Sequence, residues 1–206
     1  FDDLLSKVSD KTCGIMMEMI QGEGGVIPLN KEFVAKVAAL CAEKDILLMV
    51  DEVQTGNGRT GYYYAYQAFG IQPDIVSTAK GLAGGLPIGA TLLGEKVKDV
   101  YTPGLHGSTF GGNPVASAGA INIISRIDDE LLSEVNIKSD YIFERLTNAD
   151  GVKNVSGLGL MLGIETKKDA SEVIKTCQDK GVLVIKAKNK VRLLPALNIP
   201  MEQLKK

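Results

Sequence analysis

The sequence predicts an α/β fold in which a mainly parallel sheet is followed by a smaller α+β unit. Short apolar runs at 14–19, 46–50, 74–77 and 88–94 alternate with helical segments. The run 46–50 is continuously aliphatic, which is typical of a parallel strand covered on both faces. In the last third of the chain this alternation gives way to helices and strand pairs, which favours a second unit.

The individual elements follow from local signals. Asn30 can cap a helix over 31–44 whose apolar residues recur with helical spacing. Pro114 suits the first position of an Ala-rich helix over 113–126. The later elements are a polar helix over 130–148, a strand pair within 152–166, a helix over 169–180 and strands at 182–186 and 190–194. We place the domain boundary so that residues 1–135 form the larger domain and 136–206 the smaller one.

Composition excludes several classes of protein. The 206 residues are 45% hydrophobic and 23% charged, with a net charge of −2 that is interspersed along the chain. Such values predict a globular protein without a nucleic-acid partner or a membrane partner, and no signal peptide is visible. Cys13, Cys41 and Cys177 are odd in number and widely spaced, which favours free thiols in a reducing cytoplasm over disulfides or a metal site.

Glycine is the residue type that departs from ordinary usage. The sequence has 23 glycines among 206 residues, which is a larger share than the glycine content of about 7% in a typical protein. They cluster at 56–61, 81–89, 104–112 and 157–163. Clustered glycine marks places where the backbone turns sharply or approaches something closely, and it therefore predicts a site built from loops.

Three residues with chemically capable side chains follow two of the predicted strands. Asp51 and Glu52 come at the carboxyl end of the strand 46–50, where ligands of parallel sheets bind, and an acidic residue there can face a cation or a protonated ring. The alternative is a solvated loop or a helix cap. Lys80 follows the strand 74–77 and precedes glycines, so it could form a Schiff base with a carbonyl compound. The alternative is an ordinary surface lysine.

The loop 102–113 offers hydroxyl groups and backbone N–H groups before a helix start. Ser108 and Thr109 suit a phosphate there, although an ordinary flexible loop has the same composition. His106 is the single histidine and has no suitable cysteine partners, which argues against zinc. Residues 56–61 match the G-x-G-x-x-G dinucleotide pattern, but the glycines do not follow their strand directly, so we interpret the match as accidental.

The order of these features resembles that of the class III aminotransferases, which depend on pyridoxal phosphate (PLP). The resemblance is greatest to the acetylornithine and ornithine type. Five segments carry it, and they are Glu18–Gly25, Asp51–Gly61, Pro73–Gly81, His106–Pro114 and Val191–Pro195. The resemblance implies fold type I, with residues 1–135 as the C-terminal part of the PLP-binding large domain. It also leads us to expect that the chain corresponds to the C-terminal half of such an enzyme.

The resemblance implies a role for each matching residue in binding the cofactor. Lys80 would form the Schiff base and move the proton, and Asp51 would pair with the ring nitrogen. Val53 would pack on one face of the ring, and Gln54 would donate a hydrogen bond to the ring oxygen. Ser108 and Thr109 would bind the phosphate group, usually that of the neighbouring subunit in a homodimer.

The resemblance also implies how substrates would be exchanged. Glu23 would pair with Arg192 when the amine donor enters, and it would release the arginine for the α-carboxylate of glutamate. The implied reaction transfers an ω-amino group, with N-acetylornithine favoured, to 2-oxoglutarate in arginine biosynthesis. Ornithine and 4-aminobutyrate enzymes remain alternatives. So does a truncated, non-catalytic fragment, because the family's N-terminal cofactor contacts are not present in this sequence.

Overall fold

A computed structural model describes all 206 residues of the chain. The residues form two compact units, and neither unit is continuous in sequence. The first comprises Phe1–Met19, Leu29–Asn57 and Tyr64–Arg126, and the second comprises Ile20–Pro28, Gly58–Tyr63 and Ile127–Lys206. Two short segments therefore belong with the C-terminal part of the chain, which the local sequence pattern does not indicate. A domain boundary between residues 135 and 136 stays a prediction.

The regular elements are six α-helices and ten strands. The helices are α1 (Asp2–Leu5), α2 (Lys31–Glu43), α3 (Pro114–Ile124), α4 (Asp129–Leu146), α5 (Ala170–Asp179) and α6 (Met201–Leu204). The strands are β1 (Gly14–Met17), β2 (Ile20–Gln21), β3 (Ile27–Pro28), β4 (Leu47–Asp51), β5 (Ile75–Thr78), β6 (Ala90–Leu93), β7 (Val152–Leu158), β8 (Met161–Thr166), β9 (Ile185–Ala187) and β10 (Lys190–Leu193). Short 3-10 helices cover Ala65–Phe69 and Lys80–Ala83.

The first unit is built on a four-stranded sheet with the order β1-β4-β5-β6. Strands β1, β4 and β5 run parallel, and β6 pairs antiparallel with β5 at the edge. The prediction of a mainly parallel sheet is therefore confirmed. Parallel strands end at the same edge of a sheet, so the turns that follow β4 and β5 lie beside each other.

Helix α2 forms where capping and periodicity predict it. The Asn30 side chain accepts a hydrogen bond from the Phe33 amide at 3.1 Å, which satisfies one of the free donors at the helix start. The buried Val34 of this helix packs with Val50 of β4 and with Ala65 in one core cluster. Helix α2 thus covers one face of β4, the strand that leads to Asp51 and Glu52.

The second unit contains an antiparallel sheet with the order β7-β8-β10-β9 and a two-stranded pairing of β2 with β3. Helices α4, α5 and α6 belong to the same unit. Its largest core clusters join α4 and α5 to the sheet through residues such as Val135, Leu162 and Val191. The predicted α+β character of the later residues is therefore confirmed.

Segment 58–63 is held by the turn between β7 and β8. The Leu160 amide donates to the Arg59 carbonyl at 2.9 Å. Gly159 has φ +57, and a Cβ atom there would lie 2.4 Å from the backbone carbon of Thr60. Only glycine allows both this conformation and this approach of two backbones.

Strand β9 begins later than the sequence predicts. We expected a strand over 182–186, whereas β9 covers Ile185–Ala187. The register is set by a two-residue turn, in which Lys188 has φ +51, so that Ala187 pairs with Lys190. The apolar run alone does not reveal where this turn starts the pairing.

None of the helices has both the length and the apolar character that crossing a membrane requires.

Candidate functional site

The predicted site residues lie in both units, and each group is described within its own unit. The first unit carries the residues expected to hold a cofactor, which are Asp51, Val53, Gln54, Lys80, Ser108 and Thr109. The second unit carries the pair expected to handle substrate, which is Glu23 and Arg192.

Asp51 and Lys80 lie at the carboxyl edge of the parallel sheet. Asp51 is the last residue of β4 and is in register with Ser77 of the neighbouring strand β5. Lys80 follows the end of β5 at Thr78 by two residues. The fold therefore brings a carboxylate and an amine, which are 29 positions apart in the printed sequence, to adjacent strand ends.

The turn after β4 orients the Asp51 side chain. The Val53 amide donates to Asp51 Oδ1 at 2.9 Å, which fixes the carboxylate relative to the backbone of the turn. Val53 and Gln54 are half-buried in the same turn. The turn thus presents a carboxylate at position 51, an aliphatic side chain at position 53 and an amide at position 54.

Glu52 points into the protein rather than toward a ligand. Its side chain is fully buried, and it accepts hydrogen bonds from the Tyr66 amide at 2.9 Å and from the Thr55 hydroxyl. Burial raises the pKa of the Glu52 carboxyl, the bonds from Thr55 and from the Tyr66 and Ala65 amides oppose this, and the nearby charge of Asp51 adds to it. Sequence position did not distinguish Glu52 from Asp51.

Lys80 has an unusual backbone conformation. It begins the 3-10 helix Lys80–Ala83 with φ +46, and its side chain is exposed. A left-handed conformation is unfavourable for an L-residue with a Cβ atom, and such strain is typical of functional positions. The turn thus projects the amine from the sheet edge.

Asn57 is a residue of this edge that the sequence patterns did not single out. It is buried, has φ +57, and donates from Nδ2 to Thr78 Oγ1 and to the Ala79 carbonyl. Its position between two glycines could have indicated a sharp turn at this residue. Asparagine suits such a turn, because it is among the non-glycine residues most often found at positive φ.

Two buried side-chain oxygens at this edge have no hydrogen-bond partner within the chain. They are Asn57 Oδ1 and Ser77 Oγ. Ser77 is the register partner of Asp51 on β5, so both side chains lie on the same face of the sheet. Because an unsatisfied buried polar atom is costly, such atoms indicate that the edge accommodates a polar ligand.

Ser108 and Thr109 lie in an exposed loop that leads into α3. Ser108 Oγ accepts from the Gly111 amide at 2.9 Å, and Asn113 caps α3 by accepting from the Ala116 amide at 2.9 Å. No hydrogen bond or ion pair joins Ser108 or Thr109 to Asp51 or Lys80. Helix α3 packs on the Lys80–Ala83 turn through a shared cluster that includes Leu82 and Ala120.

In the second unit, Glu23 and Arg192 form an ion pair. Arg192 Nη1 lies 2.9 Å from Glu23 Oε1. The arginine side chain is 8% exposed, whereas the glutamate side chain is 74% exposed. Arg192 lies on the central strand β10, between Gly163 of β8 and Ile185 of β9. A fixed, buried cation is therefore paired with a carboxylate that solvent can reach.

Arg59 is a half-buried cation of this unit to which the sequence patterns assign no role. Its Nη1 donates to the carbonyls of Leu160 and Pro195, and burial lowers its pKa. These bonds fasten segment 58–63 to the turn between β7 and β8 and to the chain that follows Arg192. Its role is therefore to brace the backbone around the predicted substrate arginine.

All 206 residues match the family model of aminotransferase class-III. An acetylornithine aminotransferase from Haemophilus ducreyi is 48% identical over 196 residues, which are 94% of this chain and 50% of that protein. The chain spans about half the length of the curated relatives it matches.

Solved structures are similar over almost the whole chain. The N-acetylornithine aminotransferase from Stenotrophomonas maltophilia has a TM-score of 0.84 at 36% identity, covering 94% of this chain and 53% of that chain. The ornithine aminotransferase from Toxoplasma gondii has a TM-score of 0.87 at 32% identity, covering 93% of this chain and 48% of that chain. That structure has partial occupancy of PLP at its active site.

Proposed function

Because this chain belongs to the class-III aminotransferase family, we propose that it supplies the cofactor lysine, the ring-binding carboxylate and a substrate arginine of a PLP-dependent aminotransferase. The observation that carries the proposal is the location of Asp51 and Lys80 at the carboxyl ends of adjacent parallel strands. Both reactive groups thus stand at the edge where parallel sheets bind ligands.

The residues at this edge fit the chemistry of PLP. The cofactor has an aldehyde, a basic ring nitrogen, a ring oxygen, a flat apolar face and a phosphate. Lys80 offers an amine, Asp51 a carboxylate, Gln54 an amide and Val53 an aliphatic surface. The unsatisfied Ser77 hydroxyl beside Asp51 adds a further polar group at the same face. When bound, the cofactor supplies an electron sink for the carbon that loses its proton.

The chain's own residues would then hold the cofactor and move the proton. Asp51 would hold a proton on the ring nitrogen by offering a negative charge there. Gln54 would donate a hydrogen bond to the ring oxygen, and Val53 would exclude water from one ring face. Lys80 Nζ would bind the cofactor and accept and return the substrate proton.

We assign the phosphate to Ser108 and Thr109 of a neighbouring subunit in a homodimer. The loop supplies two hydroxyls before the start of α3, where backbone N–H groups favour an anion.

For the substrates we propose N-acetylornithine as amine donor and 2-oxoglutarate as acceptor, in arginine biosynthesis in the cytoplasm. Arg192 would bind the α-carboxylate of glutamate or 2-oxoglutarate, and Glu23 would mask it when the amine donor binds. The buried guanidinium and the exposed carboxylate support this, because the exposed partner can leave while the cation stays fixed. The relatives that carry the acetylornithine name are 40–48% identical.

A second candidate is that the 206-residue chain alone does not turn over. The exposed side chain of Lys80 favours it, because a nucleophilic lysine works best when it is partly desolvated. Measurable transamination by the purified chain would contradict this candidate.

The proposal is tested by titrating the chain with PLP and recording the visible spectrum. We expect a new absorption band that is lost in the Lys80→Ala variant and kept in Lys31→Ala, a matched change of an exposed lysine in the same unit. Equal bands in both variants would exclude Lys80 as the cofactor residue. Amine assays with N-acetylornithine, ornithine and 4-aminobutyrate then test the donor, and an equal or higher rate with 4-aminobutyrate overturns the acetylornithine assignment.

A further inference from the structure

Asn57 connects the two turns that carry the proposed reactive groups. Its side chain belongs to the turn after β4, and the residue is 6% exposed. Its Nδ2 atom donates to Thr78 Oγ1 at 3.1 Å and to the Ala79 carbonyl at 3.2 Å. Thr78 ends β5, and Ala79 directly precedes Lys80. The amide thus spans from the Asp51 side of the sheet edge to the Lys80 side.

The bond to Ala79 acts on the peptide unit that leads into Lys80. A peptide unit is planar, so a hydrogen bond that fixes its carbonyl oxygen also fixes the amide nitrogen at the other end. That nitrogen belongs to Lys80. The same carbonyl accepts from the Leu82 amide at 3.0 Å. Two donors therefore hold the plane from which the Lys80 side chain is directed.

Lys80 needs such support because its own conformation is unfavourable. At φ +46 the Cβ atom of an L-residue is crowded by the following carbonyl oxygen. An asparagine or aspartate can relieve this by local hydrogen bonding, whereas a lysine cannot. Unless its surroundings hold it, Lys80 relaxes to a right-handed or extended conformation.

We propose that Asn57 is the positioning residue that holds Lys80 in the left-handed conformation from which its amine serves the cofactor. The inference rests on the proposed function and names a residue that acts through Lys80 rather than on the substrate.

The chemistry of the contact requires a donor at position 57. The Ala79 carbonyl can only accept, so the nitrogen end of the Asn57 amide must face it. The Oδ1 end is buried and has no partner within the chain. If residue 57 only filled space, an apolar side chain would stabilise the fold more, since an unsatisfied buried acceptor is costly. The donor function therefore accounts for the amide.

Two variants separate this donor function from the backbone conformation. Asn57→Gly removes the amide and keeps the freedom to adopt φ +57. Asn57→Asp keeps the size of the side chain and its tolerance of positive φ, but it has no donor for Ala79. Thr78→Val is the matched control, because it removes the other acceptor at nearly constant shape and leaves the Ala79 bond intact.

The measurement is reductive trapping of PLP with borohydride, followed by peptide mass mapping. The labelling of Lys80 is expressed relative to that of Lys31. We expect about fivefold less labelling of Lys80 in both Asn57 variants, because that is the effect of losing one hydrogen bond. We expect no change of labelling in Thr78→Val. The reactivity of the Cys41 thiol, which is 2% exposed in the same unit, reports whether the unit stays folded.

The outcomes are distinct. The inference is overturned if Lys80 is labelled equally in the Asn57 variants and in the parent chain. It is also overturned if the loss of Lys80 labelling is accompanied by exposure of the Cys41 thiol. If the parent chain shows no preference for Lys80 over Lys31, the proposed function fails instead. In that event, hydrogen exchange of the Leu82 amide still tests Asn57: about fivefold faster exchange in both variants supports the positioning role, and unchanged exchange overturns it.

Discussion

Asp51 and Glu52 are adjacent in sequence but lie in different surroundings. Asp51 stands at the end of β4 with its carboxylate fixed by the Val53 amide. Glu52 is buried against the 3-10 helix that begins at Ala65 and holds that helix to the strand end through the Tyr66 amide. The first carboxylate is available to a ligand, whereas the second stabilises the turn that presents it.

The raised pKa of Glu52 predicts how stability depends on pH. The folded state binds the Glu52 proton more tightly than the unfolded state, in which the carboxyl has its ordinary pKa of 4.5. The free energy of unfolding therefore falls as pH rises from 4.5 through the folded pKa. We expect Glu52→Gln to flatten this part of the pH profile and to be at least as stable as the parent near neutral pH. Its amide can still accept from Tyr66 and donate to Thr55.

Urea denaturation at a series of pH values checks this prediction. Glu32→Gln is the control, because Glu32 is exposed and the side chain of Lys36 lowers its pKa, which gives the opposite sign. A Glu52→Gln variant that is clearly less stable than the parent at neutral pH would show that the buried charge itself stabilises the fold.

The Glu23–Arg192 pair predicts a small stability effect. Although Arg192 is buried, the Glu23 side chain is mostly exposed, and ion pairs with such a partner contribute little. We expect Glu23→Gln to lower the free energy of unfolding by less than about 1 kcal/mol. Urea denaturation beside Glu202→Gln, a change of another exposed carboxylate in the second unit, measures it. A loss of about 3 kcal/mol or more would mean that the pair is a structural lock rather than a releasable mask.

At the scale of elements, the turn between β7 and β8 determines the position of segment 58–63. This segment belongs to the second unit although it follows β4 and its turn directly in sequence. The Gly159 turn and the Arg59 side chain hold it there by bonds to backbone groups. The glycine-rich turn 157–163 is therefore a backbone contact site rather than a ligand loop.

The contact at Gly159 makes its replacement costly. In Gly159→Ala, the Cβ atom would meet the Thr60 backbone, so we expect a loss of about 3 kcal/mol in the free energy of unfolding. Gly70→Ala is the matched control, because Gly70 has φ +67 with no atom near its Cβ position, and we expect a loss of about 1 kcal/mol. Equal losses in chemical denaturation would show that conformation, not contact, explains the glycine.

At the scale of the whole molecule, the first unit exposes several apolar side chains near the proposed phosphate loop. Phe110, Val115 and Ile121 are 82%, 68% and 70% exposed. Exposed apolar residues grouped on a loop and the following helix are typical of an association surface. They support the proposed homodimer, in which Ser108 and Thr109 serve the neighbouring subunit.

This surface predicts that a charge on α3 weakens association. We expect the parent chain to sediment as a dimer and Ile121→Lys to raise the dissociation constant roughly tenfold or more. Leu183→Lys is the control, because Leu183 is 85% exposed but belongs to the second unit. A parent chain that is monomeric at all concentrations, or an Ile121→Lys variant that associates normally, would contradict the proposed dimer surface.

The order of elements and the chemically capable positions could be predicted from sequence because they depend on local signals. Asn30 caps α2, Pro114 begins α3, and apolar runs end at the positions that carry Asp51 and precede Lys80. Periodicity, helix caps and turn residues depend on interactions between residues a few positions apart, so these signals can be read directly from the sequence.

The tertiary structure alone decided the contacts that join distant positions. It buried Glu52 while leaving Asp51 at the sheet edge, and it placed Asn57 against Ala79, 22 residues away. It also assigned segment 58–63 to the second unit through Arg59, whose bonds span 101 and 136 residues. These outcomes depend on which backbone groups meet after the chain has packed, and no local pattern of side chains specifies that.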